Sequence, residues 1–262
     1  MIARVATGLA IAGVIAIAAW AARALTPRGA IAATIVGAAA IAAGWSWGVL
    51  LLAFFVSSSA LSRAGVDIKN RRTSGIVEKS GARDAVQVIA NGAIFGITAV
   101  ASIIAPSDAW LAAGAGALAA STADTWATEI GTLAGGTPRL VTTWRTVPPG
   151  TSGGVTAAGT LGMIAGSAFL TLVAAAVAWP RHVVAATLVG GVAGAVADSL
   201  AGATIQARRR CSSCDAMTER TIHSCGTPTV HAGGIPWLSN DAVNLLCGTV
   251  GASTAVAVMR AF

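Results

Sequence analysis

Asp124 and Glu129 stand in the stretch STADTWATEIGT, residues 121–132, which closes a run rich in alanine and leucine. At about 100° per residue, Ser121, Thr122, Asp124, Thr125, Thr128, Glu129 and Thr132 share a helical arc of about 160°. Ala123, Trp126, Ala127, Ile130, Gly131 and Leu133 fill the other side, so one face is wholly polar. A carboxylate at membrane depth costs about 2.5–3.5 kcal/mol unless paired or hydrated, which makes it a functional candidate by default. The bland alternative is a pair of carboxylates bridged to interfacial arginines. Three more segments carry the same chemistry. Asp84, Gln87 and Asn91 recur at i, i+3 and i+7 on one helical face. Gly190, Gly194, Asp198, Gly202 and Gln206 recur every four residues, with Ser199 beside the aspartate. Asn240, Asp241 and Asn244 cluster in one turn, where Ser239 or Asn240 also fits a helix N-cap.

The segment RLVTTWRTVPPGTSGGVTAAGT, which starts at Arg139, adds a different capacity. Gly150, Gly153 and Gly154 allow a turn whose N–H groups converge, and the loop runs into a helix N-terminus, a place that binds phosphate. Thr151 and Ser152 add donors, and Arg139 and Arg145 add charge. Pro-Pro-Gly and Gly-Gly also make ordinary loops, and no G-x-x-x-x-G-K-[ST] motif occurs. Magnesium takes a few carboxylates together with phosphate oxygens. Carboxylates, glycines and arginines in one chain therefore point to phosphoryl chemistry at a bilayer surface.

The elements that must position these groups are membrane helices. Of 262 residues, 55% are hydrophobic and 10% charged, and mean hydropathy is +0.74, against about a quarter charged in soluble domains. Apolar runs at residues 5–25, 29–44, 46–62, 84–105, 109–133, 155–178, 183–207 and 241–260 predict an all-α polytopic bundle of about eight helices in one membrane domain, 1–262. The second and third runs are short and joined by GWSWG, so they read either as two crossings or as a re-entrant hairpin. Arg4 and the Ala22-Arg23-Ala24 triplet also fit a signal peptide, although the first run is read here as a retained helix.

If loops alternate sides, fourteen of the seventeen Lys and Arg fall on one side, and only Arg4, Arg181 and Arg260 on the other. The positive-inside rule makes the first side cytoplasmic, with both termini outside and the site facing the cytoplasm of a multi-pass cell-membrane protein. Trp45, Trp47, Trp110 and Trp179 are then expected in an outer aromatic belt. The formal charge of +7 follows from this topology and from anionic lipid; nothing resembles a nucleic-acid motif.

The ordered blocks SGARDAVQVIANG, STADTWATEIGTLAGGTPRLVTTWRTVPPGTSGGVTAAG, GAVADSLAGATIQ and LSNDAVNLLC resemble uncharacterised membrane protein family ninety-two, from about Leu25 onward. That family includes transmembrane protein 19 and a plant phytyl-phosphate kinase. The resemblance implies an isoprenyl monophosphate kinase that uses CTP or ATP to make a prenyl diphosphate. On that implication Asp124, Glu129 and Asp198 hold Mg²⁺, with Asp84 or Asp241 as further ligands. Gly150, Thr151, Ser152, Gly153 and Gly154 cradle nucleotide phosphates, and Arg145 or Lys79 neutralises the transferred group. Asn91, Asn244 and Gln206 orient phosphate oxygens, with Gln87, Thr128, Ser199 and Asn240 beside them, and the prenyl tail enters between Gly- and Ala-rich helices. The competing function is a transporter for a small anionic or phosphorylated solute, whose site is expected near the midplane.

The loop 208–237 stands apart, as a cytoplasmic insertion before the last helix. Cys211 and Cys214 form C-x-x-C, and His223 and Cys225 follow as H-x-C, a Cys3His set suited to tetrahedral zinc, with His231 as a substitute ligand. Free reduced thiols and a redox pair are the other readings; a stable disulfide does not suit a cytoplasmic loop. Cys247 lies within the last run and reads as packing.

Overall fold

The computed structural model describes residues 2–78 and 81–261. In chain order the helices are α1 (Ile2–Ala21), α2 (Pro27–Ala43), α3 (Trp45–Arg63), α4 (Val66–Thr73), α5 (Ala85–Ile104), α6 (Asp108–Ala134), α7 (Ala157–Ala176), α8 (Arg181–Thr204) and α9 (Asn240–Met259). All but α4 fall on the eight apolar runs, and α4 is a short charged helix that hydropathy does not reveal. The long helices α1, α3, α5, α7, α8 and α9 are long and apolar enough to cross a membrane. The chain is a polytopic helical membrane protein.

Local sequence sets the helix starts. Thr26 accepts from Gly29 N–H at 3.1 Å ahead of Pro27, whose missing N–H costs nothing at a first turn. Thr156 accepts from Gly159 N–H at 3.0 Å to start α7, and Ser239 accepts from Ala242 N–H to start α9. Each satisfies a donor that the helix itself leaves unpaired.

Residues 112–123 of α6 are all buried, and this helix forms the centre, packed by α3, α5, α7, α8 and α9. Small residues make that possible. A Cβ at Gly194 of α8 would stand 2.4 Å from Ala120 Cβ and 2.6 Å from Cys247 O, so only glycine lets α8 lie against both α6 and α9. The same contact brings the α8 stretch that follows beside the polar end of α6.

At one end of the bundle, α2 turns into α3 at Gly44 and α7 into α8 near Trp179. Trp47 packs on Trp179 at 5.2 Å between ring centroids and on Phe95 at 5.1 Å. These contacts seat the α2–α3 turn against Phe95 and Trp179; α3 is long and apolar enough to cross a membrane, whereas α2 is a shorter apolar helix. Trp47 and Trp179 are buried, which corrects their expected place in an outer belt: joined rings gain more from mutual packing than from an interface. Trp45 remains outside.

The other end carries the connections with structure of their own. Strands β1 (Arg139–Leu140) and β2 (Gly154–Val155) pair antiparallel and fold the loop between them back on itself. Strands β3 (Arg208–Cys211), β4 (Met217–Thr218) and β5 (Thr229–Gly233) form an antiparallel sheet, ordered β4-β3-β5, between α8 and α9.

Candidate functional site

A cavity of about 760 Å³ opens at the loop-bearing end of the bundle. Asp124 and Thr128 on α6, Asp198 and Ser199 on α8, and Asn240, Asp241 and Asn244 on α9 line it, so the tight α6–α8–α9 packing brings three separate polar stretches to one wall. The carboxyl groups of Asp124 and Asp198 meet within hydrogen-bond reach. Asp198 Oδ2 is buried and has no hydrogen-bond partner among the described residues. Two adjacent carboxylates repel unless they share a proton or a cation lies between them. An unpartnered oxygen beside an oxygen-rich wall fits a hard divalent ion of the magnesium kind.

The opposite wall is cationic. Arg23, Arg63, Lys69, Arg72 and Arg83 all line the cavity. Lys69 is buried on α4 and pairs with Glu129, while also donating to Leu61 O at 2.7 Å and Ser62 O at 2.9 Å. The second Glu129 oxygen accepts from Ser62 Oγ at 2.6 Å. Glu129 thus lines the cavity but is neutralised from within, and its oxygens turn to Lys69 and Ser62 rather than to the aspartate pair. Arg72 donates to Thr132 O at 2.6 Å and Leu133 O at 2.9 Å, which caps the carbonyl end of α6. Arg83 is less committed: its closest side-chain partners are the Ser59 and Ser62 hydroxyls at 3.3 and 3.5 Å. Burial disfavours its charge, Glu129 partly restores it and the nearby Arg63 disfavours it further.

The glycine loop reaches the cavity through Gly150, Thr151, Ser152, Gly153 and Gly154. Gly153 has φ +75, and a Cβ there would meet Ala203 N at 2.5 Å, so glycine is required for the loop to lie on α8. Several expected phosphate donors are already used. Thr151 N–H donates to Pro148 O, Gly154 N–H donates to Thr151 O at 3.0 Å, and Thr151 Oγ1 donates to Pro148 O at 2.8 Å. Ser152 Oγ donates to Glu219. The loop thus offers shape and its remaining backbone groups, and the charge comes from the α4 side.

Three other expected residues have different stations. Asp84 caps α5: it accepts from Gln87 N–H at 2.9 Å, and Gln87 Oε1 accepts from Asp84 N–H at 3.1 Å. That D-A-V-Q spacing is a capping box legible in the sequence, and of the two only Gln87 reaches the cavity wall, with Asn91 one turn on. Arg145 is exposed and does not line the cavity, although its loop neighbours Val141 and Trp144 do; its carbonyl accepts from Leu140 N–H at 2.9 Å. Gln206 is buried behind the wall, donating to Glu219 at 3.0 Å. Lys79 lies outside the described residues.

A model of the integral membrane protein family DUF92 matches residues 10–252. The chain belongs to the DUF92 family. It is 31% identical to Protein PGR of Arabidopsis thaliana over 90% of this chain and 89% of that one. It is 32% identical to the uncharacterized membrane protein MJ0933 of Methanocaldococcus jannaschii over 70% of this chain and 76% of that one. It is also 30% identical to the uncharacterized membrane protein sll0875 of Synechocystis sp. over 89% of this chain and 82% of that one. No solved structure matches it.

Lys69, Arg83 and Glu219 are among the cavity residues that sequence reasoning on this DUF92 member passed over. Glu219 sits directly after β4, lines the cavity, and lies close enough to Asp198 to act on its charge. Burial holds its carboxyl above the ordinary range, partly offset by the Ser152 and Gln206 hydrogen bonds. The lobe that carries Glu219 also gathers Cys211, Cys214, His223 and Cys225, whose donor atoms all lie within 4.8 Å of one another; His231 is not in the group. Cys247 is buried on α9, away from them.

Proposed function

We propose that this DUF92 protein is a lipid-phosphate kinase that transfers a phosphoryl group from CTP or ATP to a membrane-embedded prenyl monophosphate. One observation carries the reading. The polar cavity adjoins an apolar crevice between α1, α2, α3 and α5, and both are bounded by Arg83, Gln87, Asn91 and Thr125. Ile15, Val36, Leu51 and Phe55 line the crevice. A molecule with a long apolar tail and an anionic head fits that junction, its tail in the crevice and its phosphate at Arg83.

On this reading Asp124 and Asp198 would hold Mg²⁺, with Asp241, Asn244 and Ser199 lining the same cavity. The ion would supply charge neutralisation on the nucleotide phosphates. Arg83 orients the lipid monophosphate, whose oxygen forms the new P–O bond as the bond from the γ-phosphorus to the bridging oxygen breaks and the nucleoside diphosphate leaves. The acceptor is already anionic, so no strong base is needed, and positioning with charge stabilisation does the catalysis. Gly150 to Gly154 form the floor on which the nucleotide phosphates rest.

A transporter needs access from both sides of a midplane site. Here the far end is filled by Trp47, Phe95 and Trp179, all buried, which supports a site reached from one end. The test is an assay of phytyl and geranylgeranyl monophosphate with Mg²⁺ and labelled CTP or ATP, beside Asp124→Asn. Diphosphate formed only by the unmutated protein supports the kinase; no product from any prenyl phosphate, in protein shown to be folded, overturns it.

A further inference from the structure

The lobe between α8 and α9 lacks the means to hold itself together by hydrophobic burial. Its three short strands bury Cys211, Thr218 and Thr229, whereas Met217, Ile222, Val230 and Ile235 are exposed. Small units without a core need a staple, commonly a structural metal or a disulfide. The lobe nonetheless performs an exacting task. Glu219 lies five residues after Cys214 and four before His223, so the polypeptide that enters the cavity wall is the middle of the segment between the two ligand pairs.

We propose that Cys211, Cys214, His223 and Cys225 hold a zinc ion, and that this ion fixes the lobe so that Glu219 is seated in the cavity wall.

The geometry supports tetrahedral ligation. With Zn–S near 2.3 Å and Zn–N near 2.0–2.1 Å, a tetrahedron has S···S edges of about 3.8 Å and S···N edges of about 3.5 Å. Cys211 Sγ and Cys225 Sγ stand 3.6 Å apart, and His223 Nδ1 is 3.2 Å from Cys225 Sγ. A disulfide requires about 2.05 Å; all four cysteines of the chain are free thiols. Ligation releases the protons of the bound thiols and leaves His223 neutral.

The anchorage runs outward from the cluster to Glu219. Glu219 N–H donates to Ile76 O at 3.0 Å, Thr218 Oγ1 donates to the same carbonyl at 3.2 Å, and Arg220 donates to Ser74 O at 3.1 Å. Thr229 Oγ1, on β5, donates to Arg220 O at 2.6 Å. These bonds dock the lobe onto the segment that follows α4, while Ser152 and Gln206 take the Glu219 carboxylate itself. Neither ligand pair alone closes the segment; zinc shared between them does. Glu219 is thereby a positioning residue for the aspartate wall, whichever reaction the cavity runs.

The test uses full-length protein purified in detergent under reducing conditions, without lipid or nucleotide. Elemental analysis should give about one zinc per chain for the unmutated protein and for Glu219→Gln, and far less for Cys214→Ser. Hydrogen exchange is then followed on residues 216–221 and 74–78. Stripping zinc with a chelator should speed exchange in both segments by about 10-fold or more, and zinc added back should restore it. Folded, reduced protein without zinc overturns the proposal, as does a Cys211–Cys225 disulfide. Exchange at 216–221 that is unchanged after zinc removal also overturns it, even if zinc is bound. Because no turnover is read, a failed kinase assay and a failed zinc test are separate results.

Discussion

Asp124 and Glu129 sit on the same helix, five residues apart, and line the same cavity, yet they meet opposite fates. Glu129 is completed by the protein: Lys69 takes one oxygen and Ser62 the other. Asp124 meets a second carboxylate, Asp198, one of whose oxygens has no hydrogen-bond partner among the described residues. A buried ion pair is a finished electrostatic object, costly to break and with nothing left to bind. A buried carboxylate pair is unfinished, and its energy is lowered only by something brought from outside. On the proposed reading the aspartate pair is the place for a cation, while Glu129, paired with Lys69, is the strut that fixes α4 beside it.

The largest effect that would sharpen this contrast is on turnover. Asp124→Asn or Asp198→Asn should lower prenyl-phosphate phosphorylation by about 10³-fold or more, comparable to removing a main charge stabiliser. In cation-free buffer the same substitutions should leave the thermal midpoint unchanged or raised, because they relieve repulsion; a large loss of stability would break the comparison. Lys69→Met should do the reverse, costing about 3 kcal/mol in denaturant unfolding by stranding Glu129, with Lys69→Met/Glu129→Gln regaining most of it. Arg83→Gln should raise KM for the lipid phosphate by about 10-fold with a smaller change in kcat, as expected for a group that binds the acceptor before and during transfer.

The smallest effect concerns Glu219. Its folded carboxyl titrates above the ordinary value of 4.5 because it is buried. A raised folded value means that stability from this group is fully present below 4.5 and is lost as pH rises through the folded value. Glu219→Gln lacks that loss. Its thermal midpoint relative to the unmutated protein should therefore climb as pH rises from about 4.5 toward 7, and a flat difference would show that Glu219 does not sit in a desolvated wall.

Much of the site was legible because its residues are anomalous for their surroundings. Carboxylates in apolar runs stand out, and Asp124, Asp198 and Asp241 line the cavity that unites them. Asp84 shows where such reasoning overreaches, since a capping box uses the same residue types for a local purpose. Arg83 and Lys69 were hidden for the converse reason. They lie in a charged connection where every residue looks solvated, and only the docking of α4 on α6 buries one and aims the other. Glu219 was less visible still, because a loop acid carries no periodic signal.

The sequence by itself determined the eight apolar helices, the polar faces they carry and the ligand types in the Cys/His loop, since composition and period follow from the local chemistry of each segment. Tertiary structure alone decided that Glu129 is neutralised while Asp124 is not, that Arg83 stands between polar cavity and apolar crevice, and that Glu219 joins the wall. The physical reason is that charge pairing depends on which helix lies opposite. That choice rests on close approaches such as Gly194 against Ala120, whose partners are far apart along the chain.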